Sequence, residues 1–401
     1  MNKIYAIIGT SAAGISCAQK LRILSPTSTI ICISDEPELP YNKCFLVDVI
    51  SGLKPLDAVY TLTSSKAHDR AIELMLAKRV VSLNASQSSL VLDDGQRINY
   101  DAVLLATGSC PFVPQALDVN MPGVFTFHSL HDIMRLQEHL ERFKVARAAV
   151  IGAGLTGIEA ADALCAKGIE VTILERSSTL LSSLMCPEAS AHIERCAQRA
   201  GVHCLTNESV TELLEREGRV CGIRLASGPV LDVQLVIIAT GVRPNSQLIA
   251  DGNFKLFKDL WAQPNQYGQL EVDNLYAAGD VCALLDQLTN ERRPNTTWPD
   301  AVSQGMHVAS AMVGNPVPYL GLIPYFSSSF FGMRLVCGGT HLNNSDRKSV
   351  SSMSDDLFQA YQINSEQELS SYIWIGTGTI PPQLRRWLMT REKINERMLT
   401  K

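Results

Sequence analysis

The sequence predicts an α/β fold with two doubly wound dinucleotide-binding (Rossmann-like) domains, the second inserted in the first, and a small α+β C-terminal domain. A strand, glycine turn, helix and strand follow one another in KIYAIIG to STIICIS, and the same order returns about 145 residues later in ARAAVIG to IEVTILE. Each copy is followed by short strands, the last of which is apolar and closed by Ala-Thr-Gly. A repeat of this kind indicates two units of one architecture.

Length and composition are those of a globular chain with more than one domain. Of the 401 residues, 46% are hydrophobic and 19% charged, which is enough for two or three buried cores. A net charge of -5 with dispersed basic residues disfavours a nucleic-acid partner. The start, MNKIYAIIG, lacks the pattern of a signal peptide, and no apolar run approaches the roughly 20 residues of a membrane span. We therefore expect a cytoplasmic protein without a membrane span.

The eleven cysteines indicate no metal site. The sequence has no CxxC and no paired Cys/His cluster, so zinc or an iron-sulfur centre would lack ligands. Five cysteines fall on predicted helices (Cys17, Cys165, Cys196) or strands (Cys32, Cys337), where a small buried hydrophobe is the ordinary role.

The second unit carries a complete glycine motif, GAGLTGIE. Gly152, Gly154 and Gly157 have the spacing that allows a tight turn, close approach to a pyrophosphate and a helix N-terminus with unpaired N–H groups. Glu175 ends the next strand, where a carboxylate can accept both ribose hydroxyls. This favours NADH over NADPH, because a 2'-phosphate would be repelled and the neighbouring Arg176 offsets the repulsion only in part.

The first unit has an incomplete motif, GTSAAG. Gly9 and Gly14 are present, but Ser11 replaces the middle glycine, and its Cβ limits how closely the backbone can approach a phosphate. Asp35 lies just past the second strand, near the position of a ribose-binding acid, although Ser34 can hold the strand-end position itself.

Three further segments, LLATG, IIATGVRPN and LYAAGDV, complete a resemblance that covers about residues 1 to 340. In order and separation, the motifs resemble those of the pyridine nucleotide-disulfide oxidoreductase superfamily of flavoproteins. The resemblance implies an FAD-dependent NAD(P)H oxidoreductase with FAD on the first unit and NADH, or less favourably NADPH, on the second. It implies an FAD-binding domain at 1–109 and 236–315, an NAD(P)H-binding domain at 110–235 and a C-terminal domain at 316–401.

The same resemblance assigns individual residues to the cofactors. The FAD residues are Gly9, Ser11, Ala13, Gly14, Asp35, Lys43, Ala106, Thr107, Gly108, Gly279, Asp280 and Trp298. The NAD residues are Gly152, Gly154, Leu155, Thr156, Gly157, Glu175 and Gly241. Glu159 resembles the acid that many relatives hold near the nicotinamide. Alternatively, it is a helix carboxylate paired with a surface base.

The electron acceptor depends on the segment PELPYNKCFLVDVISG. Neither the CxxxxC of the glutathione reductase type nor the CxxC of the thioredoxin reductase type is present. Cys44 falls where the branch similar to coenzyme A-disulfide reductases and NADH oxidases has its redox cysteine, and a helix N-terminus with Lys43 beside it favours a thiolate. The catalytic candidates are therefore Cys44, Lys43 and Glu159. The alternative is that Cys44 is a small buried substitute for proline.

The flanking residues resemble a second branch, similar to rubredoxin and ferredoxin reductases and the flavin portion of nitrite reductases. Four residues of that branch's Pro-Tyr-x-Arg-Pro-x-Leu-Ser-Lys segment have counterparts here, namely Pro40, Tyr41, Lys43 and Leu46, whereas Asp48 replaces the final lysine. By the same resemblance Trp298, Gln304 and Phe326 line the flavin side of the cavity, with plain core packing as the alternative.

Three functions are compatible with these patterns. The first is electron transfer from NADH through flavin to a small redox protein of rubredoxin or ferredoxin type, or to a small-molecule acceptor. The second is a disulfide, persulfide or peroxide reductase or NADH oxidase that uses Cys44 as redox thiol. The third is an NADH-responsive flavoprotein that acts as a binding module, motivated by a shortened segment before Leu275. The chain is expected to be a monomer or homodimer.

Overall fold

A computed structural model describes residues 2–252, 254–294, 296–339, 348–394 and 398 of the chain. The chain forms two compact units. The first comprises Met1–Leu46, Lys54–Cys110 and Val242–Leu322, and the second comprises Val47–Leu53, Pro111–Gly241 and Ile323–Lys401.

The strands within these described ranges are numbered in chain order. They are β1 Ile4–Ile8, β2 Thr29–Ile33, β3 Ile72–Met75, β4 Val80–Asn84, β5 Ser89–Leu92, β6 Arg97–Asn99, β7 Ala102–Leu105, β8 Ser109–Pro111, β9 Val124–Thr126, β10 Arg147–Ile151, β11 Glu170–Glu175, β12 His203–Thr206, β13 Val210–Arg216, β14 Arg219–Leu225, β15 Val230–Asp232, β16 Leu235–Ile238, β17 Val242–Pro244, β18 Leu256–Phe257, β19 Trp261–Ala262, β20 Leu275–Ala277, β21 Ala283–Leu285, β22 Arg292–Pro294, β23 Tyr325–Phe330, β24 Met333–Gly339, β25 Lys348–Met353, β26 Leu357–Ile363 and β27 Leu369–Gly376.

The helices of the described residues are numbered in the same way. They are α1 Ala12–Leu24, α2 Leu46–Ser51, α3 Ser64–Asp69, α4 Leu130–Arg142, α5 Leu155–Ala166, α6 Pro187–Arg199, α7 Gln247–Asp251, α8 Trp298–Met312 and α9 Gln383–Thr390, with short 3-10 turns at Lys43–Phe45 and Leu56–Val59.

A five-stranded parallel sheet with the order β20-β7-β1-β2-β3 forms the centre of the first unit. Its strands are short apolar runs because both faces of a parallel sheet are covered. Helices α1 and α8 pack on one face through a core that includes Tyr5, Leu21 and Val308. The antiparallel strands β4-β5-β6 bring Leu90 and Leu92 against the other face.

The second unit contains a parallel sheet of order β12-β11-β10-β16-β9 and an antiparallel sheet β13-β14-β15. Val220 and Ile223 of β14 pack with Ile151 and Val236 in one buried core. The unit also contains the antiparallel sheet β23-β24-β27-β26-β25, whose central strand β27 is buried along its whole length.

Helix α9 lies against this C-terminal sheet through Leu384, Trp387 and Leu388. The sequence predicts a basic helical end for PPQLRRWLMTREKINERML, but α9 covers only Gln383–Thr390, and the next residue, Arg391, adopts a φ of 53°. A left-handed residue ends a helix, which explains the shorter element. Residues 395–397 and 399 of the predicted segment lie outside the described residues.

The internal repeat appears in the hydrogen bonds of the two parallel sheets. Gly9 N donates to Ile33 O and Gly152 N donates to Leu174 O, each at 2.8 Å. Ala106 N donates to Ile8 O and Ala239 N donates to Ile151 O, again at 2.8 Å in both cases. The same strand-turn-helix geometry is thus built twice, and the predicted fold class is confirmed.

The predicted domain limits, 1–109 with 236–315, 110–235 and 316–401, stay predictions. The five cysteines assigned to helices and strands lie on those elements. Cys17, Cys32, Cys196 and Cys337 are buried as expected, whereas Cys165 is only half-buried.

Candidate functional site

The turn between β1 and α1 has no room for side chains at its two glycines. Gly9 has a φ of 109°, and a Cβ there would lie 2.0 Å from the Ala106 carbonyl oxygen. A Cβ at Gly14 would lie 1.9 Å from the Gly9 carbonyl oxygen. The glycines therefore allow the strand to lead directly into α1, whose first N–H groups have no intrahelical partners.

Ser11 fits this turn because its backbone is extended. It is the N-cap of α1 with φ -86° and ψ -159°, and its counterpart Gly154 is the N-cap of α5 with φ -71° and ψ 177°. Any residue can adopt this conformation. The serine in GTSAAG therefore causes no backbone strain.

Asp280 follows β20 and lies in a largely buried position of the first unit. Ser109 Oγ donates to Asp280 Oδ2 at 3.1 Å. Burial raises the pKa of the Asp280 carboxyl, while the Ser109 hydroxyl and the charge of Lys43 oppose the rise. Lys43 and Asp280, 237 positions apart in the sequence, therefore lie close together.

Gln304 of α8 has one half of its amide paired. Its side chain is 4% exposed, and its Oε1 accepts a hydrogen bond from Gly279 N at 2.8 Å. Its Nε2 is buried, and no hydrogen-bond partner is found for it within the described part of the chain. A buried donor without a partner is unusual and calls for a physical explanation.

The Ala-Thr-Gly segment after β7 is fixed by Asn245, the residue that follows β17. Thr107 Oγ1 donates to Asn245 O at 2.7 Å, and Asn245 Nδ2 donates back to Thr107 O at 2.9 Å. Gly108 has a φ of 67° and accepts a hydrogen bond from Asn245 N. Trp298, the first residue of α8, is half-buried against the core of the same unit.

In the first unit, a serine stands where the second unit has the strand-end carboxylate of Glu175. Because Ile33 and Leu174 accept equivalent hydrogen bonds, the counterpart of Glu175 is the buried Ser34. Glu36 N donates to Ser34 Oγ at 3.2 Å, as Ser177 N donates to Glu175 Oε1 at 2.8 Å. Asp35 is exposed and forms an ion pair with Arg79 at 3.0 Å. Its assignment to the FAD ribose stays a prediction.

The second unit has the same turn between strand and helix, with open space around its N-cap residue, Gly154. A Cβ at Gly152 would lie 2.4 Å from Ala239 O, and a Cβ at Gly157 would lie 2.0 Å from Gly152 O. By contrast, a Cβ at Gly154 or at Gly241 would meet no atom within 4 Å. Leu155 and Thr156 begin α5 beside this open space.

Two backbone N–H groups hold the Glu175 carboxylate. Oε2 accepts from Ala153 N and Oε1 from Ser177 N, both at 2.8 Å. The negative charge at the end of β11 is thereby fixed beside the glycine motif. Arg176 is exposed.

Glu159 lies on α5 one turn before Asp162, and both carboxyls contact the β23-β24 hairpin. Ser328 Oγ donates to Glu159 Oε1 at 2.5 Å, and Phe331 N donates to Asp162 Oδ1 at 2.9 Å. Burial raises the pKa of Glu159, the Ser328 hydroxyl lowers it, and the like charges of Asp48 and Asp162 raise it further. The surface-base interpretation of Glu159 finds no support in these contacts, because its partner is a hydroxyl.

Cys44 is exposed, so its interpretation as a buried substitute for proline is wrong. It lies in the 3-10 turn Lys43–Phe45, where its backbone N–H donates to Asn42 Oδ1 at 2.9 Å. Phe326, which the resemblance to ferredoxin reductases places beside the flavin, is half-buried on β23. The roles of both residues stay hypotheses.

The residues of the first unit fit FAD, and those of the second fit a nicotinamide dinucleotide. The first unit combines the α1 N-terminus, whose N-cap Ser11 makes no side-chain hydrogen bond, with the turn glycines Gly9 and Gly14, features that suit the pyrophosphate of a dinucleotide. The second combines the open α5 N-terminus with the Glu175 carboxylate. Across the described residues, no group of His, Cys, Asp or Glu suited to a metal ion is found. Within the same residues, no helix is long and apolar enough to cross a membrane.

Two dinucleotide-binding units of this form, with the second inserted into the chain of the first, define a class of flavin- and nicotinamide-dependent oxidoreductases. A model of the pyridine nucleotide-disulphide oxidoreductase family matches residues 3–305 of the chain. The chain belongs to this family, and it is an FAD-dependent NAD(P)H oxidoreductase.

Individual relatives differ in the reactions that their names state. The NADH oxidase of Methanocaldococcus jannaschii is 28% identical over 77% of this chain and 69% of its own length. The ferredoxin–NAD(+) reductase component of the p-cumate 2,3-dioxygenase system of Pseudomonas putida is 26% identical over 98% of this chain and 95% of its own. Among solved structures, the covalent putidaredoxin reductase–putidaredoxin complex shares the fold, with a TM-score of 0.92 at 21% identity over 100% and 96% of the two chains.

Sequence reasoning missed three residues that shape these sites. Ser109 directly follows the ATG of LLATG, and that adjacency is the signal that could have found it. Asn245 ends the GVRPN segment, and its place in that motif is the signal that could have found it. Ser328 lies in SSSF, where nothing in the sequence distinguishes it from its neighbours.

Proposed function

We propose that NADH is the preferred electron donor and that its electrons pass through FAD to a small redox protein of ferredoxin or rubredoxin type. The observation that carries the donor assignment is the Glu175 carboxylate, held by two backbone N–H groups. A fixed negative charge at this strand end accepts ribose hydroxyls and repels a 2'-phosphate.

The acceptor assignment rests on the extent of the relationship. The ferredoxin–NAD(+) reductase component of Pseudomonas putida matches this chain nearly from end to end, including the C-terminal sheet. The NADH oxidase relative matches a smaller share of both chains. A match over nearly the whole length of both chains supports a similar reaction partner.

The chain's own residues bind, orient and hold charge. FAD, when bound, supplies the hydride-accepting and electron-releasing chemistry. In the proposed arrangement, the α1 N-terminus and Lys43 bind its phosphates, and Asp280, oriented by Ser109, accepts hydroxyls of the ribitol. Glu175 holds the NADH ribose, and Glu159 retains a proton more readily than an exposed carboxyl does.

The test is anaerobic reduction of the purified holoprotein by NADH and by NADPH, followed by steady-state reduction of an acidic plant-type [2Fe–2S] ferredoxin. We expect NADH to give the higher kcat/KM and the ferredoxin to be reduced. Glu175→Gln keeps an acceptor oxygen but removes the charge, and it should cut the preference for NADH about tenfold. Glu170→Gln, an exposed carboxylate on the same strand, should leave the preference unchanged.

Equal or better reduction by NADPH would contradict the donor assignment. Flavin that is reduced by NADH but does not pass electrons to any ferredoxin or rubredoxin would contradict the acceptor assignment. If neither nucleotide reduces the flavin, the binding-module function becomes the better account.

Exposure of Cys44 favours a second candidate function, thiol chemistry with disulfides, persulfides or peroxides. Its signature is a long-wavelength thiolate-to-flavin absorption band after reduction by NADH, absent from Cys44→Ser. If both proteins lack the band and reduce an artificial acceptor equally fast, this candidate is excluded.

A further inference from the structure

The imidazole of His192, on α6, is buried without a hydrogen bond. The residue is 0% exposed. Neither Nδ1 nor Nε2 has a hydrogen-bond partner among the residues that the structure describes. A neutral imidazole carries one donor and one acceptor, whereas a protonated ring carries two donors and a positive charge. The site therefore holds the neutral ring at some cost and the charged ring at a far greater one.

His192 lies where α6 packs against the C-terminal sheet, and both belong to the second unit. Its ring centroid is 5.9 Å from that of Phe358 on β26, which is also buried. Further along the helix, the exposed Arg199 donates through Nη2 to Asp355 O at 2.9 Å, in the turn between β25 and β26. The buried His192–Phe358 pair is thus the centre of a contact whose rim is charged.

The charges around His192 have both signs. Burial is the largest cause of its lowered pKa, and Arg195 and Arg199 of α6 lower it further. Asp355 and Asp356 oppose the shift from the turn between β25 and β26. The burial and the two arginines prevail, so the folded protein disfavours protonation of this ring.

We propose that His192 is a proton-sensitive latch, whose neutral ring keeps the C-terminal sheet on α6 and whose protonation in acid stabilises a state with this contact open. Because both ring nitrogens are buried, a proton reaches them only when the contact opens and His192 meets water. Acid then holds the contact open, since closing it would bury the charge. The same sheet carries Ser328, the partner of Glu159, so the latch acts on an element that contacts the GAGLTGIE helix.

The other buried titratable groups near this sheet respond to acid differently. Glu159 and Asp162 contact the β23-β24 hairpin, and burial raises the pKa of both carboxyls. Acid protonates them and thus favours their contacts. Cys196, also buried on α6, has a pKa raised mainly by burial, so its thiol stays neutral in acid. A contact that opens in acid is therefore explained by His192 and not by these groups.

The experiment is amide hydrogen exchange of the full-length holoprotein, followed by mass spectrometry from pH 7.5 to 5.5 and corrected for the intrinsic pH dependence of exchange. With an ordinary histidine pKa of about 6.5 in the open state, the opening constant of β26 should rise about five- to tenfold over this range. The amides of β10, in the parallel sheet of the same unit, should keep their protection. His192→Phe keeps an aromatic ring beside Phe358 without a titratable group, and it should abolish the rise.

His131→Gln is the matched control, because His131 is an exposed histidine on α4 of the same unit. This variant should open in acid as the wild-type protein does. If His192→Phe does not fold, His192→Leu decides the matter, since it also lacks a titratable group and is smaller. Equal pH dependence of β26 and β10 in the wild-type protein would overturn the proposal. An acid-dependent rise that persists in a folded His192 variant would do the same.

Discussion

At the scale of single residues, Glu159 of the GAGLTGIE segment has surroundings that disfavour its negative charge. Burial is the largest cause of its raised pKa, followed by the opposing Ser328 hydroxyl and then the like charges of Asp48 and Asp162. Asp48 stands where the resembling branch has a lysine. Asp48 therefore adds a negative charge near Glu159, in addition to that of Asp162.

The raised pKa of Glu159 predicts a pH-dependent cost in stability. The folded protein binds this proton more tightly than the unfolded chain, so stability falls as pH rises from the ordinary carboxyl range through the raised pKa. Glu159→Gln keeps the acceptor for Ser328 and removes the charge. Its urea midpoint should equal that of wild type at low pH and exceed it increasingly as pH rises through this window.

Glu138→Gln is the control, because Glu138 is an exposed carboxylate on a helix of the same unit. Its midpoint should follow that of wild type at every pH. If the midpoints of Glu159→Gln and wild type run parallel from low to high pH, the environment of Glu159 does not disfavour its charge.

At the scale of elements, the packing of α1 on α8 sets the geometry of the first unit. Gly305 allows the two helices to touch, since a Cβ there would overlap the Ala13 carbonyl. The same contact holds the α1 N-terminus and Gln304 in one place. Close helix packing therefore serves the cofactor cradle as well as the core.

Gly305→Ala should force α8 away from α1. A Cβ 2.1 Å from a backbone oxygen cannot be relieved by a side-chain rotation, so we expect a loss of about 1–3 kcal/mol in the free energy of unfolding and weaker FAD retention. Urea unfolding and the FAD content of the purified protein measure the two effects. Gly378→Ala is the control, because its Cβ would lie 3.8 Å from the nearest atom, on Trp374. Equal stability of the two variants would mean that the helices are not held by this contact.

At the scale of the whole molecule, the chain carries two cradles of one design with different N-caps. Ser11 and Gly154 both have extended backbones that accept any residue. A side chain placed at either position therefore tests a ligand rather than the fold. One dinucleotide for each unit is the arrangement that we propose.

Gly154→Glu and Ser11→Glu should have opposite effects. Gly154→Glu should keep FAD and lose NADH affinity by at least about tenfold, because a carboxylate would enter the proposed pyrophosphate site. Ser11→Glu should lose FAD, yet NADH should still raise the melting temperature of the apoprotein. Gly154→Ser, which copies the first unit, is the control and should bind NADH nearly as wild type does. Loss of both ligands in either variant would contradict the assignment of one dinucleotide to each unit.

Much of this structure could be predicted from local pattern. The glycine spacing around Gly152, the apolar strands and the strand-end position of Glu175 are encoded by neighbours in the sequence, and each is found in the structure. The sequence could not show whether Ser34 or Asp35 holds the strand-end position. That depends on the hydrogen-bond register of β2 with β1 rather than on residue type. The exposure of Cys44 could not be predicted from the sequence either, since the length of a 3-10 turn and the packing around it decide which side chains face solvent.

The sequence by itself determined the α/β class, the repeated dinucleotide cradle and the family, because strand, turn and helix signals repeat over short distances that need no knowledge of packing. Only the tertiary structure decided which polar groups meet: Ser109 with Asp280, Gln304 with Gly279, and Ser328 with Glu159. These partners are 171, 25 and 169 residues apart. Their hydrogen bonds follow from how helices and sheets pack, which leaves no periodic trace in the sequence.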